Sequence, residues 1–163
     1  MKNIIQNIRR LFFDNSCTCC GEKASDNLIY LCYNCLDKIV RQKSLNKVGD
    51  TYYIWPYKGE FRKLLLEYKN NSRLALGKII SSLIEEEIFK VVYEEDIDYI
   101  VPIPINFRRE QIRGFNQVEE ILKNLNYSFL KTNRVKNTKK MFKILDKEKR
   151  ENNIKNSFKV DKE

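Results

Sequence analysis

Asp98-Tyr99-Ile100-Val101-Pro102-Ile103-Pro104-Ile105 is an apolar run of strand length closed by two prolines. Together with Ile97, it predicts a strand over 97–104. The basic segment 105–113 follows as a loop with Arg108, Arg109 and Arg113, and Gly114 then opens a helix over 114–125. In an open α/β sheet, ligands bind beyond the carboxyl ends of the strands, where this loop falls. Guanidinium groups suit bidentate phosphate contact. The first backbone N–H groups of a helix can face an anion, and Asn116 and Gln117 add neutral donors. Arg108, Arg109, Arg113, Gly114, Asn116 and Gln117 are therefore the candidate phosphate or pyrophosphate site. The plainer alternative is a solvated basic surface loop.

Upstream, 51–57 reads as a strand broken by Gly59. Phe61, Leu64, Leu65 and Tyr68 carry a helical period, as do Leu76, Ile79, Ile80, Leu83, Ile84 and Ile88 in a second helix over about 74–93. Downstream, 127–135 and 154–160 read as strands separated by a basic, polar stretch at 137–153. The alternation of strands and helices implies an α/β domain with a parallel or mixed sheet over 51–163. Residues 41–50 are polar, end in Gly49-Asp50 and read as a linker. At the N-terminus, Ile4, Ile5, Ile8, Leu11 and Phe12 recur at helical spacing. Such a stripe packs on its own protein or lies on a membrane surface. It joins the cysteine-rich segment in a module spanning 1–45.

That module holds all five cysteines. Cys17-x₂-Cys20 is followed, eleven residues later, by Cys32-x₂-Cys35. Two such knuckles aim four thiolates at one tetrahedral ion, a layout typical of structural zinc. Gly21 permits the tight turn after Cys20. Cys19 has poorer spacing and is left out. Reduced unliganded thiols, a redox pair and a disulfide framework are the alternatives.

The 163 residues carry 31 Lys/Arg against 22 Asp/Glu, a net charge of +9, and no histidine. Without histidine there is no Ser-His-Asp triad, no Cys-His pair and no imidazole base in this chain. No apolar run approaches the roughly 18–20 residues of a membrane span. The basic N-terminus lacks the long apolar core and cleavage site of a signal peptide. A cytoplasmic location is the expectation.

The run Asp98–Ile105, the Arg113-Gly114-Phe115-Asn116-Gln117 turn and the four spaced cysteines together resemble the ComF competence-protein family. Further likenesses are Leu11-Phe12-Phe13, Tyr57-Lys58-Gly59 followed by Lys69, and the pattern of Arg150, Asn153, Ile154, Ser157, Phe158 and Val160. The resemblance implies a Cys₄ zinc element joined to a type I phosphoribosyltransferase-like (Rossmann-like) domain. It also implies a role in the uptake of single-stranded DNA in naturally transformable bacteria, beside a DNA-uptake motor protein. The family's phosphoribosyl-pyrophosphate motif is an apolar strand, two adjacent acids and a Thr/Gly-rich loop. It does not occur before Glu163, and Thr18, Thr51, Thr132 and Thr138 never adjoin a glycine. Met141 and Phe142 stand near where the family has a glutamine. The expected domain is accordingly an incomplete sheet, unable by itself to catalyse phosphoribosyl transfer. Amidophosphoribosyltransferase-like chemistry, with phosphoribosyl pyrophosphate bound, is the alternative if the chain continues.

Residues 131–163 hold twelve Lys/Arg and five acids, a net of +7 of the chain's +9. Such a segment attracts polyanions with strong salt dependence. Lys139, Lys140, Lys143, Lys147 and Arg150 are the candidate contacts to single-stranded DNA, with Phe142 and Tyr127 available to stack on bases. A mobile loop or a solvated lysine-rich face is the competing reading.

Overall fold

In the computed structural model, the described residues are 16–70, 73–136, 138–139 and 141–160. The N-terminal stripe from Ile4 to Phe12, the Leu11-Phe12-Phe13 lead-in and Lys140 lie outside them. The chain divides into two compact units, Met1–Lys90 and Val91–Glu163. Each mixes helices with short strands, and no described helix is long and apolar enough to cross a membrane.

In the first unit, the cysteine turns lead into helix α1 (Tyr33–Arg41). Strands β1 (Asn46–Val48) and β2 (Thr51–Tyr53) form an antiparallel hairpin, pairing Lys47 with Tyr52. The segment expected to be a linker therefore supplies a strand. Gly49 takes φ 58° in the two-residue turn, a left-handed conformation that favours glycine. Helices α2 (Gly59–Asn70) and α3 (Leu74–Glu94) follow. Their apolar stripes supply Leu64, Tyr68, Leu76 and Ile80 to a core that also holds Leu31 and Ile39. Trp55 stacks on Phe61 at 4.3 Å and donates its indole N–H to the carbonyl of Ile39 at 2.8 Å. The aromatic end of the expected 51–57 strand is thus a packing device beyond β2.

The second unit departs further from the sequence expectation. Residues 97–105 form no ladder. The Asn116 amide lies 3.5 Å from the Ile103 carbonyl, and one backbone bond reaches them from the 127–135 segment, from the Leu130 N–H to the Ile100 carbonyl at 2.9 Å. Pro102 and Pro104 have no N–H on the edge that carries that contact, so the ladder cannot continue there. The expected 105–113 loop contains helix α4 (Phe107–Arg113), capped at its start by Asn106 and at its end by Gly114 at φ 84°. Helix α5 (Gln117–Asn124) starts at an Asn116 cap. Strands β3 (Thr132–Arg134) and β4 (Phe158–Val160) form an antiparallel pair, Thr132 opposite Val160 and Arg134 opposite Phe158. Helix α6 (Lys147–Ile154), capped by Asp146, lies between them in sequence.

The expected strands at 127–135 and 154–160 shorten to three residues each. The sheets among the described residues are two antiparallel pairs, in place of a parallel or mixed sheet. A complete Rossmann-like sheet is not seen.

Gly77 in α3 lies against Tyr68, which is 1% exposed. A β-carbon at Gly77 would sit 3.0 Å from the Tyr68 hydroxyl and 3.1 Å from its ring. The ring is enclosed and cannot retreat. Gly77→Val should lower stability by about 1–3 kcal/mol, the usual cost of overpacking, as measured by urea denaturation.

Candidate metal centre and basic surfaces

The first knuckle is closed by two backbone bonds. Cys17 N–H donates to the Glu22 carbonyl at 2.6 Å, and Gly21 N–H donates to the Cys17 carbonyl at 2.8 Å. Gly21 sits at φ 81°, as the tight turn requires. The second knuckle opens α1, whose first turn places Cys35 one helical turn after Cys32. Thr18 ties the two together, since its N–H and hydroxyl both donate to the Tyr30 carbonyl, at 2.9 and 2.8 Å. Those bonds help hold Tyr30 at φ 67°, an unfavourable conformation for an aromatic residue. The Arg73 guanidinium lies 4.2 Å from the centre of the Tyr30 ring.

The Sγ atoms of Cys17, Cys20, Cys32 and Cys35 all lie within 4.8 Å of one another. Cys20 and Cys32 are 3.7 Å apart. A tetrahedral ion with metal–sulfur bonds of about 2.3 Å requires sulfur separations near ~3.8 Å. The donor set therefore fits a four-coordinate thiophilic dication. Burial raises the Cys17 thiol, but the backbone amides of Cys20, Cys19 and Cys32 and the Cys20 side chain outweigh it. Together they bring it down to about 6. Burial, with hydrogen bonds among the Cys20, Cys32 and Cys17 sulfurs, drives Cys35 up. One thiolate shared among its neighbours is the physical content of these opposite shifts.

Cys19 stands apart, as its spacing implied. Its thiol donates to the Glu60 carbonyl at 3.4 Å, and its own carbonyl accepts from Lys63 Nζ at 2.7 Å. Burial and the nearby Cys17 charge push it up to about 12. It anchors the first knuckle to α2, a role that spacing alone did not reveal.

The arginine site takes a different form from the one expected. Gly114 ends α4 instead of opening a helix. Asn116 is buried and accepts from the Val118 N–H at 3.1 Å, while its amide donates to Glu119 Oε1 at 2.9 Å. The same amide lies 3.5 Å from the Ile103 carbonyl, so Asn116 is taken up by protein groups, and Glu119 and Glu120 put negative charge in the first turn. This arrangement opposes an anion at the start of α5. Gln117 is the first residue of α5. Arg108 and Arg109 are exposed on α4, and Arg113 lies in its last turn.

Sequence reasoning missed Arg134. Its guanidinium lies 5.5 Å from the Phe158 ring centre, contacts the Thr138 hydroxyl and leaves Nε buried without a hydrogen-bond partner. Burial, then the charge of Arg109, lowers its proton affinity. The one sequence signal was an arginine ending an otherwise polar strand.

Of the candidate nucleic-acid contacts, Lys139, Lys143, Lys147 and Arg150 are exposed. Asn153 clamps the backbone N–H and carbonyl of Lys139 at 3.1 and 3.0 Å. Arg150 Nε donates to the Ile144 carbonyl at 2.6 Å, so this arginine also shapes the 141–150 segment. Lys147 lies 4.0 Å from Glu151. Compared with known proteins, the chain matches no family model, no curated protein and no solved structure.

Cobalt(II) titration should saturate at one ion per chain, with the visible bands of tetrahedral thiolate coordination. Cys17→Ser should abolish that saturation, whereas Cys19→Ser should keep it. Because the ligands are thiolates, protons compete with the ion. The bands should persist at neutral pH and fade as acid is added.

Proposed function

We propose that this chain is a ComF-like protein acting in DNA uptake through single-stranded DNA handling, without phosphoribosyl transfer of its own. The observation that carries the reading is the convergence of Cys17, Cys20, Cys32 and Cys35, which supports the family's Cys₄ element. Zinc is the ion that best suits four thiolates in a closed tetrahedron. A closed site leaves no position for substrate, so the metal stabilises the first unit and offers a rigid docking element for a DNA motor protein. The proposed location is the cytoplasm.

The exposed Lys139, Lys143, Lys147 and Arg150 support polyanion binding. Their contacts to DNA are with phosphate, which positions a strand but reads no sequence. The transferase alternative asks for an acidic pair and a Thr/Gly loop. Residues 1–163 contain no such motif. The α5 cap also takes up Asn116, which that alternative would use as a donor to pyrophosphate.

Fluorescence anisotropy with labelled oligothymidylate tests the DNA reading. With three or four phosphates neutralised, raising salt from 50 to 200 mM should weaken binding by roughly 20- to 50-fold. A combined Lys143→Ala, Lys147→Ala variant should bind more weakly and show a shallower salt slope. A flat salt response overturns the reading. Pyrophosphate release from phosphoribosyl pyrophosphate should stay at the no-protein blank. Release that disappears in Arg113→Ala would favour the transferase.

A further inference from the structure

Residues 97–105 of the second unit carry a feature that nucleic-acid binding does not use. Val101 and Ile103 each precede a proline, which holds them in extended backbone. Ile97, Tyr99, Val101 and Ile103 are all exposed, Tyr99 and Ile103 at 70% each, while Pro102 between them is buried. This is the period of two of a strand with one apolar face in water.

The backbone shows the same alternation. In an extended chain, residues of one parity send both N–H and C=O to the same edge. The even edge is blunted, because Pro102 and Pro104 lack N–H and the Ile100 carbonyl takes the Leu130 N–H. The odd edge keeps every donor and acceptor of Tyr99 and Val101 without a partner among the described residues. Ile103 receives one 3.5 Å contact, from Asn116 Nδ2 to its carbonyl. Unsatisfied backbone beside exposed apolar side chains is the signature of an edge that accepts another strand.

We propose that this odd edge pairs antiparallel with the same edge of a second copy of the chain, about a two-fold axis. Charge selects that occupant. Asp96 and Asp98 lie before the run, and Arg108 and Arg109 lie after it. With Tyr99 opposite the partner's Ile105 and Val101 opposite the partner's Ile103, Asp96 and Asp98 come to the end where the partner's copy of α4 opens with Arg108 and Arg109, and the symmetry repeats the pairing. A parallel copy would set like charges side by side. The isologous contact closes on itself, so it gives a dimer and not a fibre.

Sedimentation velocity of the metal-loaded full chain over a hundredfold concentration range tests the proposal. A monomer–dimer equilibrium is expected, weakening as salt rises. Ile103→Lys should leave only monomer, and its exposed side chain makes folding insensitive to the change. The combined Arg108→Glu, Arg109→Glu variant should be monomeric, as should Asp96→Lys, Asp98→Lys. An equimolar mixture of those two variants should recover a heterodimer, because each interface then pairs opposite charges again. Amide exchange at Tyr99 and Val101 should slow as protein concentration rises. A monomer throughout, leaving the edge to some other chain's strand, overturns the assignment. So does a dimer that Ile103→Lys leaves intact, or a mixture that stays monomeric.

Discussion

Four sulfurs within 4.8 Å of one another cannot all carry charge unless a cation sits among them. This constraint organises the first unit. Without an ion, burial and hydrogen bonds with the neighbouring sulfurs hold Cys35 in its neutral form, while the backbone amides that converge on Cys17 favour its thiolate. A dication reverses the balance by making every thiolate favourable. The left-handed Tyr30 and Gly21, the two hydrogen bonds from Thr18 to the Tyr30 carbonyl and the Lys63 contact to Cys19 bring the two knuckles into position. The α1 helix then carries that order inward, from Cys32 at its cap and Cys35 to Ile39, which lies under Trp55.

The cysteine cluster was legible because its information is local. A spacing of two residues fixes each knuckle, and a metal needs nothing from the sequence beyond the ligands and one permissive turn. The helical stripes of α2 and α3 were legible for the same reason, since Leu64, Tyr68, Leu76 and Ile80 repeat at one turn and all are buried. What spacing could not supply was the partner of each element. Cys19 has no useful spacing, yet it anchors the knuckle to α2 through a thiol and a carbonyl. Arg134 is an unremarkable basic residue until Phe158 and Thr138 are placed beside it.

The Gly114–Gln117 turn shows how the local structure of a motif can differ from the one its residues suggest. A glycine followed by an asparagine reads equally as the start of an anion-binding helix or as the end of one helix and the cap of the next. Capping wins here because both helices are short. A helix of seven or eight residues leaves most of its terminal N–H and C=O groups unpaired. The gain from satisfying them with Asn106, Gly114 and Asn116 applies whether or not a ligand is present. The Asn116 amide already donates to Glu119 and faces the Ile103 carbonyl, so it would have to give up one of these contacts to donate to a phosphate.

The prolines account for the remaining difference between the expected sheet and the two hairpins. An apolar run of this length pairs on both edges when every residue can donate. Pro102 and Pro104 remove the donors of one parity only, so the two edges of 97–105 become chemically unequal. One edge is limited to the single bond from Leu130, while the other keeps the donors and acceptors of Tyr99 and Val101 open among the described residues. Hydrophobic period reports the side chains and is blind to this asymmetry, because a proline counts as apolar on either edge. Proline parity reports the backbone. Taken together, the two readings explain how a segment can have the composition of a buried strand and still keep Tyr99 and Ile103 in water.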